Sequence, residues 1–499
     1  MSRHNLRRQR QLRAIGEELR RLPGVAISGV LTAEEVAAAA EQCSLRFRQR
    51  LFSPFVTLWL FVWQAISPDG SCREAVLRLL ADRPIDGRGE AITATTGSYC
   101  RARQRLPFGL IVTLVGMVAN RLFQRLSKEH LWCGRRVKIV DGTTVSMPDT
   151  AANQLRFPQS RSQKAGLGFP IARLVGVFCW SSGALLTHAT GPCKGKNASE
   201  LGLLRGLLDQ FSAGEVVLGD RYYASYFMIA LFQMRGVDVL FPQHQRRKSD
   251  FRKGRRLSRG DHMVTWHKPK RPDWLEEALY QQLPETLLIR EFRNGRRVLV
   301  TTLVDPQEAS VHALSALYQT RWHCELDLRA IKQVLDMAIL RCQTPDRVEK
   351  EIAIHLLAYN LLRAVLLEAS RHDARAPRTV SFKAALQTLL AQGALLWLCE
   401  QSRSVIDALL ARLATEQVGD RPGRYEPRAI KRRPKPRALL NQPRAEARRR
   451  EHRHHQALAT GIPPDAGRKD LFGGTAAARP TTPRQPPPPQ PSRTGSHGV

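Results

Sequence analysis

The fifteen residues from Tyr318 to Lys332, Tyr-Gln-Thr-Arg-Trp-His-Cys-Glu-Leu-Asp-Leu-Arg-Ala-Ile-Lys, admit few conformations. Wound as an α-helix with Tyr318 at zero, Arg321, Glu325 and Lys332 fall at roughly 300°, 340° and 320°. A ring hydroxyl, a carboxylate and two cations then share one stripe. Leu317, Leu326, Ile331, Val334 and Leu335 supply an apolar side that can seat the helix on a core. On this helix alone two readings stay open. Arg321 with Glu325, and Glu325 with Arg329, have the i,i+4 spacing of an ordinary solvated face. The same stripe would also suit a metal-binding carboxylate beside a polyanion. His323 and Asp327 flank Glu325 in sequence but point to the other side, so they fall outside the stripe.

The charge of the chain narrows the choice. Its 499 residues carry 78 Lys and Arg against 44 Asp and Glu, a formal net charge of +34. A field of that sign implies a polyanionic partner, nucleic acid first. Charge alone does not separate DNA from RNA, a ribosome or an anionic membrane. Nine cysteines without a C-x-x-C pair argue against a disulfide framework or a zinc ribbon. Reduced thiols in the cytoplasm are expected. The basic start lacks the apolar stretch of a secretory signal. The most apolar run, residues 51–66, is too short to span a membrane and is interrupted by Pro54 and Gln64. It is expected to be a core helix, with no membrane partner.

Along the chain, residues 1–130 have helical patterning and are expected to form a helical N-terminal DNA-binding domain. Thr32 and Glu35 make a capping box, and Arg101, Arg103 and Arg105 form a basic turn. The period changes at Arg135. Residues 137–141 and 215–220 read as strands that each end in an acid, Asp141 and Asp220. A hairpin lies between them over 172–190, followed by a helix over 198–211. A helix at 226–235 and a strand at 237–241 follow, giving the order β-β-β-α-β-α-β and a mixed sheet. Residues 243–300 break the rhythm as a mostly β insertion, with a hairpin at Asn294-Gly295. Lys194-Gly-Lys196-Asn197 lacks Walker spacing, which argues against nucleotide triphosphate binding. Helices resume at about 304, with one after Thr344-Pro345 and another over 381–416. From 419 to 499 the composition turns to Pro, Arg, Gly, Gln and His, so a disordered basic tail is expected.

Three acids stand out by position: Asp141 and Asp220 at strand ends, and Glu325 on the late helix. Acids at the carboxyl ends of neighbouring strands converge at the mouth of a sheet. Carboxylates are the hard ligands that Mg²⁺ or Mn²⁺ takes, and two such ions suit in-line phosphodiester chemistry.

Tyr318-x2-Arg321-x3-Glu325-x6-Lys332 resembles the Y-x2-R-x3-E-x6-K signature of the insertion-sequence 4 family of bacterial DDE transposases. Val140-Asp141-Gly-Thr and Leu218-Gly-Asp220-Arg221-Tyr-Tyr-Ala-Ser resemble the settings of that family's first two acids. Ile354-His-Leu-Leu-Ala-Tyr359-Asn-Leu-Leu-Arg363 is also similar to it. The likeness covers roughly residues 45–370. It implies a ribonuclease-H-like α/β core over 131–370 with the β insertion at about 243–300. Helical C-terminal elements at 371–418 follow that core. It further implies metal-dependent cut-and-paste transposition, with Asp141, Asp220 and Glu325 as catalytic metal ligands for two Mg²⁺ or Mn²⁺ ions. The DNA contacts would be Tyr318, Arg321 and Lys332, with Arg221 as a further candidate. In some relatives an insertion-domain Trp stacks on a flipped base, which makes Trp266 and Trp274 candidates. The implied partners are double-stranded DNA with terminal inverted repeats, target DNA and a second copy of the chain on paired ends. The implied place is the bacterial cytoplasm, at the nucleoid when bound to DNA. A non-transposing nuclease on the same fold and a silent DNA-binding remnant are the rival readings.

Overall fold

Nine strands share one sheet: β1 (Val137–Ser146), β2 (Ile171–Cys179), β3 (Leu185–Pro192), β4 (Val216–Leu218), β5 (Asp238–Pro242), β6 (Arg255–Ser258), β7 (Asp261–His267), β8 (Thr286–Asn294) and β9 (Arg297–Thr301). Their order is β3-β2-β1-β4-β5-β9-β8-β7-β6. The computed structural model describes residues 3–21, 29–45, 51–81, 95–193, 195, 198–398, 403–418 and 439–459. The expected β-β-β-α-β-α-β order is present with one addition, a short helix Ala151–Arg156 between β1 and β2. β1 and β2, and β2 and β3, pair antiparallel, whereas β1 and β4, and β4 and β5, pair parallel.

Alternation along the central strands assigns the two faces. Ile139, Leu218 and Leu240 join one core, and Val140, Val217 and Val239 join another on the opposite side. The first face is covered by helix Pro345–His372, buried along most of its length and opened by the expected proline at its first turn. This helix is long and apolar enough to cross a membrane, but 94% of its apolar window is buried inside the protein. It therefore serves as a core helix. Its polar residues pin the sheet. The Asn360 amide donates to the Leu185 carbonyl and accepts from the Leu185 N–H, each at 2.9 Å, and the Tyr359 hydroxyl donates to the Gly183 carbonyl at 2.6 Å.

Helices Ala33–Gln42, Pro54–Ile66 and Phe108–Gln124 precede the sheet and contribute to the same core as Pro345–His372. The capping box at Thr32 and Glu35 is present. The run at 51–66 is a buried core helix, as its sequence implies. The basic turn in helix Gly97–Arg105 divides by exposure. Arg101 and Arg105 face solvent, whereas Arg103 is buried with its guanidinium 3.8 Å from the Phe61 ring centroid. Arg103 therefore packs and has no path to a duplex.

Three expectations need correction. The strand through Asp141 does not end there but runs to Ser146. Antiparallel pairing with β2 continues to Ser146 opposite Ile171, although parallel pairing with β4 stops at Ile139 opposite Leu218. The helix expected over 198–211 is only Glu200–Arg205 with a 3-10 turn at Leu208–Gln210, interrupted at Gly206. The insertion is mostly β, as expected, and it joins the central sheet. β9 pairs antiparallel with β5, so β6 to β9 extend the central sheet, and the Asn294-Gly295 hairpin joins β8 to β9. The stretch expected as the last helix holds two, Phe382–Leu398 and Arg403–Thr415.

The chain divides into two compact units, residues 1–163 with 168–424, and residues 164–167 with 425–499. In the second, Arg444–Ala459 is helical, so the expected absence of structure does not hold there. That segment is rich in Arg and Ala, both strong helix formers. Residues 419–438 and 460–499 of the tail lie outside the described residues.

Asp327 fastens the stretch that carries Glu325 to the rest of the first unit. It has no solvent exposure and is gripped by Arg363 and by Arg378, the latter through hydrogen bonds of 3.0 and 3.1 Å. Removing one partner of a buried ionic cluster strands the others. Asp327→Ala is expected to cost about 3–5 kcal/mol, read as a lower denaturant midpoint in chemical unfolding.

Candidate active site

Parallel register brings two of the acids together. Ile139 lies opposite Leu218, and Asp141 and Asp220 each follow two residues later, so they emerge level with each other on one side of the sheet. β4 stops at Leu218, and Asp220 turns the chain into the 3-10 turn Arg221–Tyr223 by accepting from the Tyr222 N–H at 2.8 Å. Asp141 accepts from the Gly142 N–H at 2.8 Å.

The third acid comes from the stretch around Glu325, which is not one uniform helix. Helix Val311–Gln319 tightens into a 3-10 turn at Thr320–Trp322. It resumes as His323–Arg329 and then widens into a π turn at Ala330–Val334. Departures of this kind are frequent at functional sites. The stripe survives them in altered form. Arg321 reaches Asp141 at 3.3 Å and also pairs with Glu325, so one guanidinium joins the first and third acids. Glu325 remains 60% exposed. The Lys332 ammonium donates to the Thr143 hydroxyl at 3.1 Å, which places it on β1 two residues beyond Asp141. Tyr318 is buried. Burial raises its pKa, Arg321 and Arg297 oppose that rise, and Asp220 adds to it. The four signature residues thus meet the two strand acids.

Two further residues belong to this neighbourhood, and sequence reading missed both. Glu200, at the first turn of its short helix, packs its carboxyl group against Gly142 and pairs with Arg173 at 3.9 Å. Tyr223 is fully buried, in the electrostatic field of Glu200, Asp141 and Asp220. In sequence Glu200 looks like an ordinary first-turn acid. The pair Tyr222-Tyr223 does not tell which ring turns inward.

Other candidates fall elsewhere. Trp266 is 2% exposed, its indole N–H donates to Glu291 at 2.9 Å, and Arg247 covers its ring at 3.7 Å. A base has no open face to stack on there. Trp274 is half-buried between Arg205, 3.7 Å from its ring centroid, and the edge-on ring of Phe227. Trp266 packs within the insertion, and Trp274 packs the insertion against Arg205 and Phe227 outside it. Arg221 is exposed beside Asp220. Lys194, Lys196 and Asn197 lie outside the described residues.

The donor set around Asp141 is made of carboxylates, the ligand type that suits hard divalent ions. Among the described residues no three His, Cys, Asp or Glu side chains stand close enough to hold one ion as they are. The Arg321 guanidinium sits where the first and third acids meet.

Comparison with known proteins finds transposases. The transposase DDE domain family matches residues 132–361, from just before β1 through most of helix Pro345–His372. A curated relative, the transposase InsG for insertion sequence element IS4 of Escherichia coli (strain K12), is 26% identical over 402 residues. The match covers 79% of this chain and 89% of that protein. A solved piggyBac transposase synaptic complex with hairpin DNA aligns at a TM-score of 0.40 and 10% identity, over 81% of this chain and 87% of that one. The matched region holds the strands and the helices that carry Asp141, Asp220 and Glu325. These likenesses support a DDE transposase of the insertion-sequence 4 type, an enzyme of DNA cleavage and strand transfer, in a family that generally uses divalent metal ions.

Burial is the main cause that pushes the Asp141 pKa up to about 6. The Gly142 N–H and Arg321 oppose the rise, while Asp220 and Glu200 add to it. A carboxyl raised on folding binds more protons in the native state, so its penalty is absent at low pH and grows as pH climbs through the shifted pKa. Without divalent ions, Asp141→Asn should match the parent in stability near pH 4. Above about pH 6 it should exceed the parent by on the order of 2 kcal/mol, read as a difference in melting temperature that opens across this range.

Proposed function

We propose that this transposase moves its element by cut-and-paste, with Asp141, Asp220 and Glu325 holding two Mg²⁺ or Mn²⁺ ions. The observation that carries this reading is the Arg321 guanidinium. It joins Asp141 to Glu325 across the sheet, at the level where β1 and β4 bring Asp141 beside Asp220. A position that already accommodates a cation between two carboxylates suits a metal ion. Divalent ions bound there supply positive charge to the reacting phosphodiester. The sheet order β3-β2-β1-β4-β5, antiparallel on one side of β1 and parallel on the other, supports a ribonuclease-H-like core.

The chain's own residues perform the remaining work. Lys332, held over Thr143, and Arg321, once released from the acids, grip the phosphates that flank the scissile bond. The Tyr318 hydroxyl positions the strand beside them, and exposed Arg221 adds a further phosphate contact. Water attacks the phosphorus at the element end, and the bond to the departing 3′-oxygen breaks to leave a 3′-hydroxyl. That hydroxyl then attacks a phosphodiester of target DNA, joins the element end to it and releases a target 3′-hydroxyl. The substrates are inverted repeats at paired ends, bound by two copies of the chain. The net charge of +34 supports this DNA contact in the bacterial cytoplasm, at the nucleoid.

Asp141→Asn, Asp220→Asn and Glu325→Gln are each expected to abolish cleavage and leave end-binding intact, read by nicking and gel-shift assays on the same preparation. Retained cleavage in one variant removes that residue from the metal site. Lys332→Ala is expected to weaken binding evenly across sequences and to flatten the salt dependence by about one counterion.

A further inference from the structure

Glu200 is held at the mouth of the sheet by a fit that depends on the absence of a side chain. A Cβ atom placed on Gly142 would lie 2.5 Å from the Glu200 carboxyl carbon, so only glycine at 142 lets this carboxylate rest beside Asp141. β2 contributes Arg173, which pairs with Glu200 at 3.9 Å and donates to the Ala198 carbonyl at 2.8 Å, bracing the start of the short helix. A first-turn acid paired with an arginine is common, and this alone would make Glu200 a structural residue.

The Tyr223 hydroxyl points to a different role. Its ring is fully buried, yet its oxygen has no hydrogen-bond partner of good geometry. Orphaned buried hydroxyls are rare in native proteins and call for a reason. The groups that set its electrostatic surroundings are Glu200, Asp141, Asp220 and Cys324. A buried donor thus lies close to three carboxylates from three different segments of the chain, without a well-formed hydrogen bond to any of them. Of these acids, Glu200 is the one whose charged form the Tyr223 hydroxyl favours, opposing the rise that burial imposes on its pKa.

We propose that Glu200 is a fourth carboxylate of the metal site, aimed by the Tyr223 hydroxyl. This rests on the reading of Asp141 and Asp220 as metal ligands. When a divalent ion is bound, Glu200 takes part through its oxygen or through a water of the ion, and Tyr223 donates to its other oxygen. Partners that orient the ligands of a metal typically change affinity by about 10–100-fold when removed.

The test is a Mn²⁺ titration of the full chain, followed by the paramagnetic resonance signal of the free ion and run beside melting curves in chelator. Glu200→Gln is expected to weaken Mn²⁺ binding roughly 10-fold or more with little change in melting temperature, and Tyr223→Phe to act in the same direction. Asp141→Asn serves as the control and is expected to lose binding. If Glu200→Gln binds Mn²⁺ as the parent does while Asp141→Asn does not, Glu200 is a helix-bracing residue and the inference fails alone. If Asp141→Asn also binds as the parent does, the metal-site reading beneath it fails with it. Tyr223→Phe removes one oxygen and keeps the ring. It carries the same test if Glu200→Gln does not fold, and parent-like Mn²⁺ binding by Tyr223→Phe would then overturn the inference.

Discussion

A carboxylate without solvent is costly unless cations reach it, and at Asp327 two do. Arg363 comes from the long core helix and Arg378 from the segment after it. Arg378 also donates to the Cys179 carbonyl at the end of β2. One buried acid therefore ties together the stretch that carries Glu325, the core helix and the sheet. Glu325, two residues earlier, faces the opposite way and stays exposed. The division of labour between two acids on one short helix comes from their surroundings alone. One is locked into the interior and the other is presented at the mouth of the sheet.

Rigidity of this kind matters because the acids arrive from distant parts of the chain. Asp141 and Asp220 are set by strand register, which tolerates no one-residue slip without reversing faces. Glu325 is set by side-chain packing across a helix with two irregular turns. Arg321 spans the gap between the two systems and partly neutralises both. Like-charged carboxylates at close range repel each other, and an internal cation relieves that repulsion.

Much of this was legible in the sequence because local chemistry decided it. The runs Val137–Val140 and Val216–Leu218 are strands for the reason their sequence suggests, since both faces are buried. Thr32, Pro345 and Asn294-Gly295 act as local signals should. The failures were non-local. Gly142-Thr143-Thr144 reads like the end of a strand, and only pairing with β2 keeps it extended. The 3-10 and π turns around Glu325 leave no mark in hydrophobic period. The pairing of β5 with β9 joins segments far apart in sequence, so the β character of the insertion was legible but its union with the central sheet was not. Trp266 and Trp274 stand out as aromatic residues in a basic region, but packing claims both, Trp266 within the insertion and Trp274 against Arg205 and Phe227. Of the similar run Ile354–Arg363, the structure explains Tyr359, Asn360 and Arg363 as the polar pins of the core helix.

The shared hydrogen-bond ladder between β5 and β9 limits how this architecture can be shortened. A chain that lost residues 243–300 would keep β5 but leave its outer row of N–H and C=O groups without partners. β5 is apolar, with Val239, Leu240 and Phe241 all buried. An uncovered apolar edge of that kind recruits strands from other chains. Trimming the insertion would thus turn an interior strand of the sheet into a sticky margin.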